Sequence, residues 1–394
     1  MIPETVLRWG GGGSVIRELS AYGARRAREA GEENVFDFAI GSPSADPPAA
    51  LHDAMRRLME TVPPAELHTY VPAPGLPPVR AKVADFLNAS FSMAYRPEDI
   101  CLTDGASSAL ALVARALLSP GEEVVIPTPG FVLYESIVLA AGGRPVFLDV
   151  SKTGFQISEE ALAAVISPKT KAIVLNSPNN PTGVVLNEGS MAAVKRAVLG
   201  KPIFVLCDNV YNRLCEQTPP DLSLDGELRE QMLVCQSFSK PWAMTGWRVG
   251  YLTAPEYVME KLLLLSAAEI ASVPTFVQAA AVEALRTDPG PLADTFRRRR
   301  AYVTGRLKGM GLPFPEPRGA FYVFPDIRRF GLSSDEFCTR MIREAGVAAV
   351  PGSCFGLEGY IRLSCCCSDE NLREGLNRME RFLAILSVSN PSDR

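Results

Sequence analysis

Between residues 98 and 253, short apolar runs and amphipathic stretches take turns along the chain. The apolar runs fall at 100–103, 123–127, 144–150, 171–176, 203–207, 232–236 and 248–253. Several are apolar without a break, such as Ile173, Val174 and Leu175, or the four residues from Ile203. Unbroken runs suit strands covered on both faces, as in a mostly parallel sheet. Helical stretches separate many of them, among them 107–118, 132–141 and 188–198. The alternation predicts an α/β three-layer sandwich around a mostly parallel seven-stranded sheet.

The rhythm changes at both ends. Residues 14–29 read as a helix and 35–40 as a short apolar run, closed by the Pro-rich turn 41–48. Beyond 290 come a long charged helix at 292–310, a strand at 320–324, a helix at 334–345, a strand at 360–364 and a helix at 369–386. These outer parts, 1–45 and 290–394, read as one smaller α+β domain beside a large domain at 46–289. The polar residues 387–394 read as a frayed end.

Composition narrows the chemistry. A chain of 394 residues has room for two domains, and 47% hydrophobic with 21% charged residues is ordinary for a globular protein. Lys plus Arg is 40 and Asp plus Glu is 44, a formal net charge of −4, which gives no global attraction to nucleic acid or to an anionic membrane. The densest basic run, Arg297 to Arg300, reads as a solvated helix face. Nine cysteines without a CxxC pair, three of them adjacent at 365–367, read as free thiols in a reducing cytosol, so a cytoplasmic location is expected. No basic-then-apolar leader opens the chain, and no apolar stretch is long and uncharged enough to span a bilayer. With only His52 and His68, a histidine zinc site lacks ligands and no metal is expected. A Ser–His–Asp hydrolase would need a GxSxG elbow, which is missing. Proton chemistry then falls to another residue or to a cofactor.

Four segments carry candidate chemistry, each at the end of a predicted strand, where doubly wound sheets bind ligands. The first, 237–251, holds Ser237, Ser239, Lys240 and Arg248. A lone lysine there would be a surface charge. Beside Arg248 its neutral amine is favoured, the form that attacks an aldehyde, and the hydroxyls and guanidinium suit a phosphate dianion. The second holds Asp208 and Tyr211: either a helix cap, or a carboxylate facing a pyridinium nitrogen and a phenol at the ring oxygen. The third, 176–183, is a turn on its own, and as part of the set Asn180 offers an amide to the same oxygen. The fourth places Gly105, Ala106 and Ser107 between a strand and a helix, where backbone N–H groups can meet a phosphate.

Together these segments resemble the class I/II aminotransferases, fold type I enzymes of pyridoxal 5'-phosphate. The pattern SxSKxxxxxGxRxGY is complete at 237–251 and Asn-Pro-Thr-Gly is intact at 180–183. The resemblance covers about residues 40 to 364. It implies that Lys240 carries the cofactor as an imine and shuttles the substrate α-proton. It implies a stacking role for Phe131, which is otherwise a core phenylalanine. It places Arg362 and Gly41, with Asn180, at the substrate carboxylate, arginine being suited by its bidentate fork. Tyr70 would reach the phosphate of a neighbouring subunit, so a homodimer is expected. Two departures matter. Ala106 brings no hydroxyl to the phosphate loop, and the stretch 267–278 lacks the second arginine of the aspartate-specific branch. Neutral or apolar amino donors, passing their amino group to a 2-oxo acid, are therefore expected. A lyase or cyclase on the same scaffold would share the cofactor residues. A ligand-sensing regulator would need a DNA-binding domain, and a nicotinamide dehydrogenase would need GxGxxG after a strand, which the glycines at 10–13 do not supply.

Overall fold

The computed structural model describes residues 34–91 and 93–389, together with Ala21 to Gly23, Arg25, Arg28 and Gly31. The expected helix at 14–29 and the glycines at 10–13 lie largely or wholly outside the described residues.

Seven strands form the central sheet: β2 (Ile100–Thr103), β3 (Glu123–Thr128), β4 (Arg144–Asp149), β5 (Thr170–Asn176), β6 (Phe204–Asp208), β7 (Met232–Ser237) and β8 (Gly250–Thr253). Their order is β2-β8-β7-β6-β5-β3-β4. From β4 to β7 every pairing is parallel, and β8 runs antiparallel to both neighbours. The register sets Thr103 and Ser237 opposite Gly250, and Asn176 opposite Asp208. One edge of the sheet thus collects the ends of β2, β5, β6 and β7 and the start of β8.

Helices cover both faces, as the unbroken apolar runs require. On one face Leu110 and Val113 of α3 (Ala106–Leu117), Tyr134 and Ile137 of α4 (Leu133–Ala140) and Leu262 of α7 (Glu256–Glu269) meet the strands. On the other, Leu162 of α5 (Glu159–Val165) and Val194 of α6 (Glu188–Val198) cover the middle strands. There α1 (Ala50–Thr61), α2 (Pro77–Phe91) and α8 (Thr275–Leu285) close over β2 and β8. Each large aliphatic side chain enclosed this way contributes about 1.5–3 kcal/mol. Ser158 and Asn187 start α5 and α6 by accepting backbone N–H bonds of the first turn.

The smaller unit packs α9 (Gly290–Gly309), α10 (Ser334–Ala345) and α11 (Asp369–Ser389) against a three-stranded antiparallel sheet of order β11-β12-β9. Those strands are β9 (Tyr322–Val323), β11 (Val350–Pro351) and β12 (Ile361–Ser364). β1 (Phe36–Asp37) pairs in parallel with β10 (Val347–Ala348), which ties the start of the described chain into this unit.

Several expectations shift. The run at 248–253 becomes a strand only from Gly250, because Arg248 sits at φ 49° in the left-handed region. The strand at 320–324 shrinks to Tyr322–Val323, its start delayed by Ala320 at φ 54°. Residues 387–389, read as frayed, complete the last helix. The Arg297 to Arg300 run is not a uniformly solvated face, since Arg300 is 1% exposed and turns into the core. Among the described residues, no helix is long and apolar enough to cross a membrane.

Candidate active site

The sheet edge that gathers these strand ends opens into a cavity of about 320 Å³. Its upper wall is a cluster of donors. The β2–α3 turn passes through Gly105 at φ 85°, and a Cβ there would lie 2.5 Å from Nη2 of Arg248. Only glycine lets the guanidinium in so close. Arg248 donates to the carbonyls of Thr245 (3.0 Å) and Asp104 (2.9 Å). Ser237 and Ser239 face each other across a 2.8 Å hydrogen bond. Helix α3 begins at Ala106 without a side-chain cap, so the N–H groups of its first turn, with the Ser107 hydroxyl, are available to an anion.

Lys240 follows the two serines. Its Nζ donates to the Gly41 carbonyl at 2.5 Å and lies 5.9 Å from the Phe321 ring. Burial, reinforced by the positive charges of Arg362 and Arg248, pushes its amine down to about 8. Across the cavity, Asp208 closes β6, 4% exposed. Burial raises its carboxyl to about 6, against the pull of a 2.7 Å bond from the Tyr134 hydroxyl. A buried carboxyl of this kind is completed by a cationic partner, which would bring it back to the charged form.

Asn176 joins two neighbouring loops. It donates to the backbone carbonyl of Asp208 (3.0 Å) and accepts from the backbone N–H of Asn180 (2.8 Å). The Asn180 side chain then accepts from Nη1 of Arg362 at 3.0 Å, and Nη2 of Arg362 donates to the Ala39 carbonyl at 2.8 Å. Arg362 is 5% exposed and lies between the rings of Tyr322 (4.5 Å) and Phe355 (5.0 Å). Its Nε has no protein partner. A cation held flat in this way, with donor capacity left over, suits a planar carboxylate. Tyr211 and Tyr322 share a hydroxyl–hydroxyl bond of 3.1 Å, and burial keeps both phenols protonated.

The cavity wall brings together Lys240, Asp208, Asn180, Arg362, Tyr211 and Arg248 from the sequence set. Gly41, Ala106, Ser107, Phe131, Ser237 and Ser239 line it as well. Gly105 stands behind the wall against Arg248. Tyr70 is not brought in: it is 87% exposed, on the outside of this chain. His52 and His68 are both exposed and take no part in the cavity lining. Sequence reasoning passed over Tyr134, Tyr322 and Asn176. Tyr134 and Tyr322 sit in apolar runs and read as core. The one available signal was Tyr134 lying one helical turn after Phe131, whose ring it meets edge-on at 5.9 Å.

Residues 33–379 match the profile of the family described as "Aminotransferase class I and II". The chain is 36% identical to an aspartate aminotransferase of Pyrococcus abyssi over 366 residues, 90% of this chain and 93% of the relative. It is also 36% identical to aromatic-amino-acid aminotransferase 2 of Thermococcus litoralis over 365 residues, 90% and 92% of the two chains. The crystal structure of aspartate aminotransferase from Thermotoga maritima superposes with a TM-score of 0.91 at 32% identity, covering 97% of this chain and 100% of the other.

Proposed function

Because the chain belongs to the aminotransferase class I and II family and is a pyridoxal-phosphate-dependent aminotransferase, we propose that Lys240 is its catalytic amine and that its donors are neutral or apolar amino acids. The observation that carries the reading is one lysine amine, held down to about 8, in the same cavity as a buried carboxyl and an arginine with spare donors. The donor set fits the cofactor on its own chemistry. Gly105, Ala106, Ser107, Ser237, Ser239 and Arg248 would hold the phosphate, and Asp208 would face the ring nitrogen. Tyr211 and Asn180 would meet the ring oxygen, with Phe131 on the ring face. When bound, pyridoxal 5'-phosphate supplies an aldehyde for the amine and an electron sink for the substrate carbanion.

The residues of the chain divide the remaining work. Arg362, steadied by Asn180 and by Tyr322, grips the α-carboxylate and fixes which bond at Cα stands ready to break. Gly41 offers backbone at the same place. The neutral Lys240 amine takes the α-proton and returns it, a role worth about 10²–10⁴ in rate. Asp208 keeps its charge next to the ring and so favours the protonated nitrogen.

The proposed donor class rests on charge. The cavity wall holds three cations, Lys240, Arg248 and Arg362, and each already has a task. Tyr70, far out on its loop, is suited to reach a second copy's phosphate, which supports a homodimer. The nine cysteines are all free, which supports a reducing, cytoplasmic setting. The test is a panel of amino donors with and without pyruvate or 2-oxoglutarate. Turnover of leucine, methionine or phenylalanine that requires the acceptor supports the reading. A preference for aspartate would overturn the donor class, and product without any acceptor would mark a lyase. Lys240→Ala should abolish turnover.

A further inference from the structure

Among the described residues, Arg300 is the largest side chain to be fully enclosed. It stands on α9 within the apolar core that includes Phe296 and Val303. Its Nη1 donates to the Ala320 carbonyl, and its Nη2 reaches Oε1 of Glu216 at 3.4 Å. Its Nε has no partner. A guanidinium with an unsatisfied group is a costly way to fill an apolar space, and a methionine would fill it without the desolvation. The arginine must therefore be weighed by what it holds.

It holds Ala320, at φ 54° in a conformation that alanine rarely adopts without constraint. The chain before it is anchored elsewhere. Arg318 and Gly319 donate to the Gly183 carbonyl at 2.9 and 3.1 Å, and Glu216 donates to the Arg318 carbonyl at 3.1 Å. Arg300 takes over at Ala320; of the next two residues, Phe321 packs in the core and Tyr322 lines the cavity. The Phe321 ring sits edge-on to Tyr211 at 5.5 Å and 5.9 Å from the Lys240 amine. Tyr322 bonds the Tyr211 hydroxyl and lies 4.5 Å under the Arg362 guanidinium.

We propose that Arg300 is a positioning residue for substrate binding: by holding the Ala320 carbonyl it sets Tyr322, and through that ring the plane of Arg362. The inference rests on the reading of Arg362 as the carboxylate clamp, and the two can fail separately. Arg300→Met in the full-length holoenzyme should keep a near wild-type unfolding midpoint. Its KM for the amino donor, and its Kd for the non-reacting monocarboxylate 3-phenylpropanoate measured by calorimetry, should both rise about tenfold, with kcat within about threefold of wild type. Arg300→Lys keeps one donor towards Ala320 and should recover part of both. Unchanged KM and Kd in Arg300→Met would overturn the proposal. So would a lowered unfolding midpoint with unchanged Kd, which marks a purely structural residue. If Arg300→Met does not fold, Arg300→Lys decides on the same readouts, and failure of both to fold also overturns it. Arg362→Lys is the control. If it leaves 3-phenylpropanoate affinity intact, the clamp reading itself is wrong; if it alone weakens affinity, only the role of Arg300 falls.

Discussion

At the scale of single residues, the site depends on two groups moved from their ordinary ranges in the directions the chemistry needs. Lys240 is lowered to about 8 by burial and by the charges of Arg362 and Arg248. Capture of pyridoxal phosphate by the cofactor-free protein should therefore speed up as pH rises and level off above about 8. Stopped-flow absorbance would show this, and a midpoint near 10 would contradict it. Asp208 is raised to about 6, so the folded, cofactor-free protein holds that proton more tightly than the unfolded chain does. Its contribution to stability is present at low pH and is lost as pH climbs from about 4 through about 6. Asp208→Asn has no such loss, so its unfolding midpoint should gain on wild type across that window, while turnover falls by about 10²–10³. Tyr134 works against the burial of Asp208 through its 2.7 Å bond. Removing that donor in Tyr134→Phe costs the charged carboxylate about 1.5–3 kcal/mol, which lifts it by about one to two pH units. Cofactor affinity near neutral pH should drop about two- to tenfold, and should recover as the pH is raised.

At the scale of elements, the active edge is made by places where backbones nearly touch. Gly250 opens β8, and a Cβ there would lie 2.4 Å from the Gln236 carbonyl and 3.1 Å from Gly105. Gly250→Ala must therefore push β7 or the β2–α3 turn, and the turn is the softer of the two. About 1–3 kcal/mol of stability should be lost, with cofactor affinity reduced alongside, as read by thermal unfolding and cofactor titration. Such crossings explain what was legible in the sequence. Apolar runs recorded the seven strands, because a strand covered on both faces has no polar side to show. Lys240, Asp208 and Asn180 were legible because charged or amide residues just after strands stand out against such runs, whereas Arg362, inside β12, was indicated only by the family resemblance. Tyr134 and Tyr322 were not legible, since a tyrosine in an apolar run looks like core until its hydroxyl is seen to have a partner. Arg300 was misread for the opposite reason. One arginine among four on a helix announces solvent, and only the packing of α9 on β9 reveals which of the four turns inward. Strand ends at 248 and 320 were missed where left-handed residues carry no glycine to mark them.

At the scale of the whole molecule, the cavity draws on both units of the chain. Asp208 ends β6 and Lys240 lies in the turn after β7 of the large sheet, while Arg362 and Tyr322 come from the smaller antiparallel sheet. The segment from Ala39 to Ser42 bridges them, accepting from Arg362 through the Ala39 carbonyl and from Lys240 through the Gly41 carbonyl, and bonding Thr245 through Ser42 at 2.8 Å. Tyr70 stands apart from this arrangement, almost fully exposed on a loop ahead of α2. A large aromatic left in water at such a place suits contact with a second copy. If it completes the partner's phosphate cluster, each site needs two chains, and defects on different chains should compensate. A Lys240→Ala chain lacks the amine but can lend its tyrosine. A Tyr70→Ala chain lacks the tyrosine but keeps its own amine. Dissociated, mixed in equal amounts and reassociated at a cofactor concentration where Tyr70→Ala alone stays largely unloaded, half of the dimers are hybrids and one of the two sites in each hybrid is intact. Turnover should therefore rise from near zero to about a quarter of wild type. If Tyr70 serves only its own chain, hybrids contain no repaired site and the mixture should show no gain over its separate components.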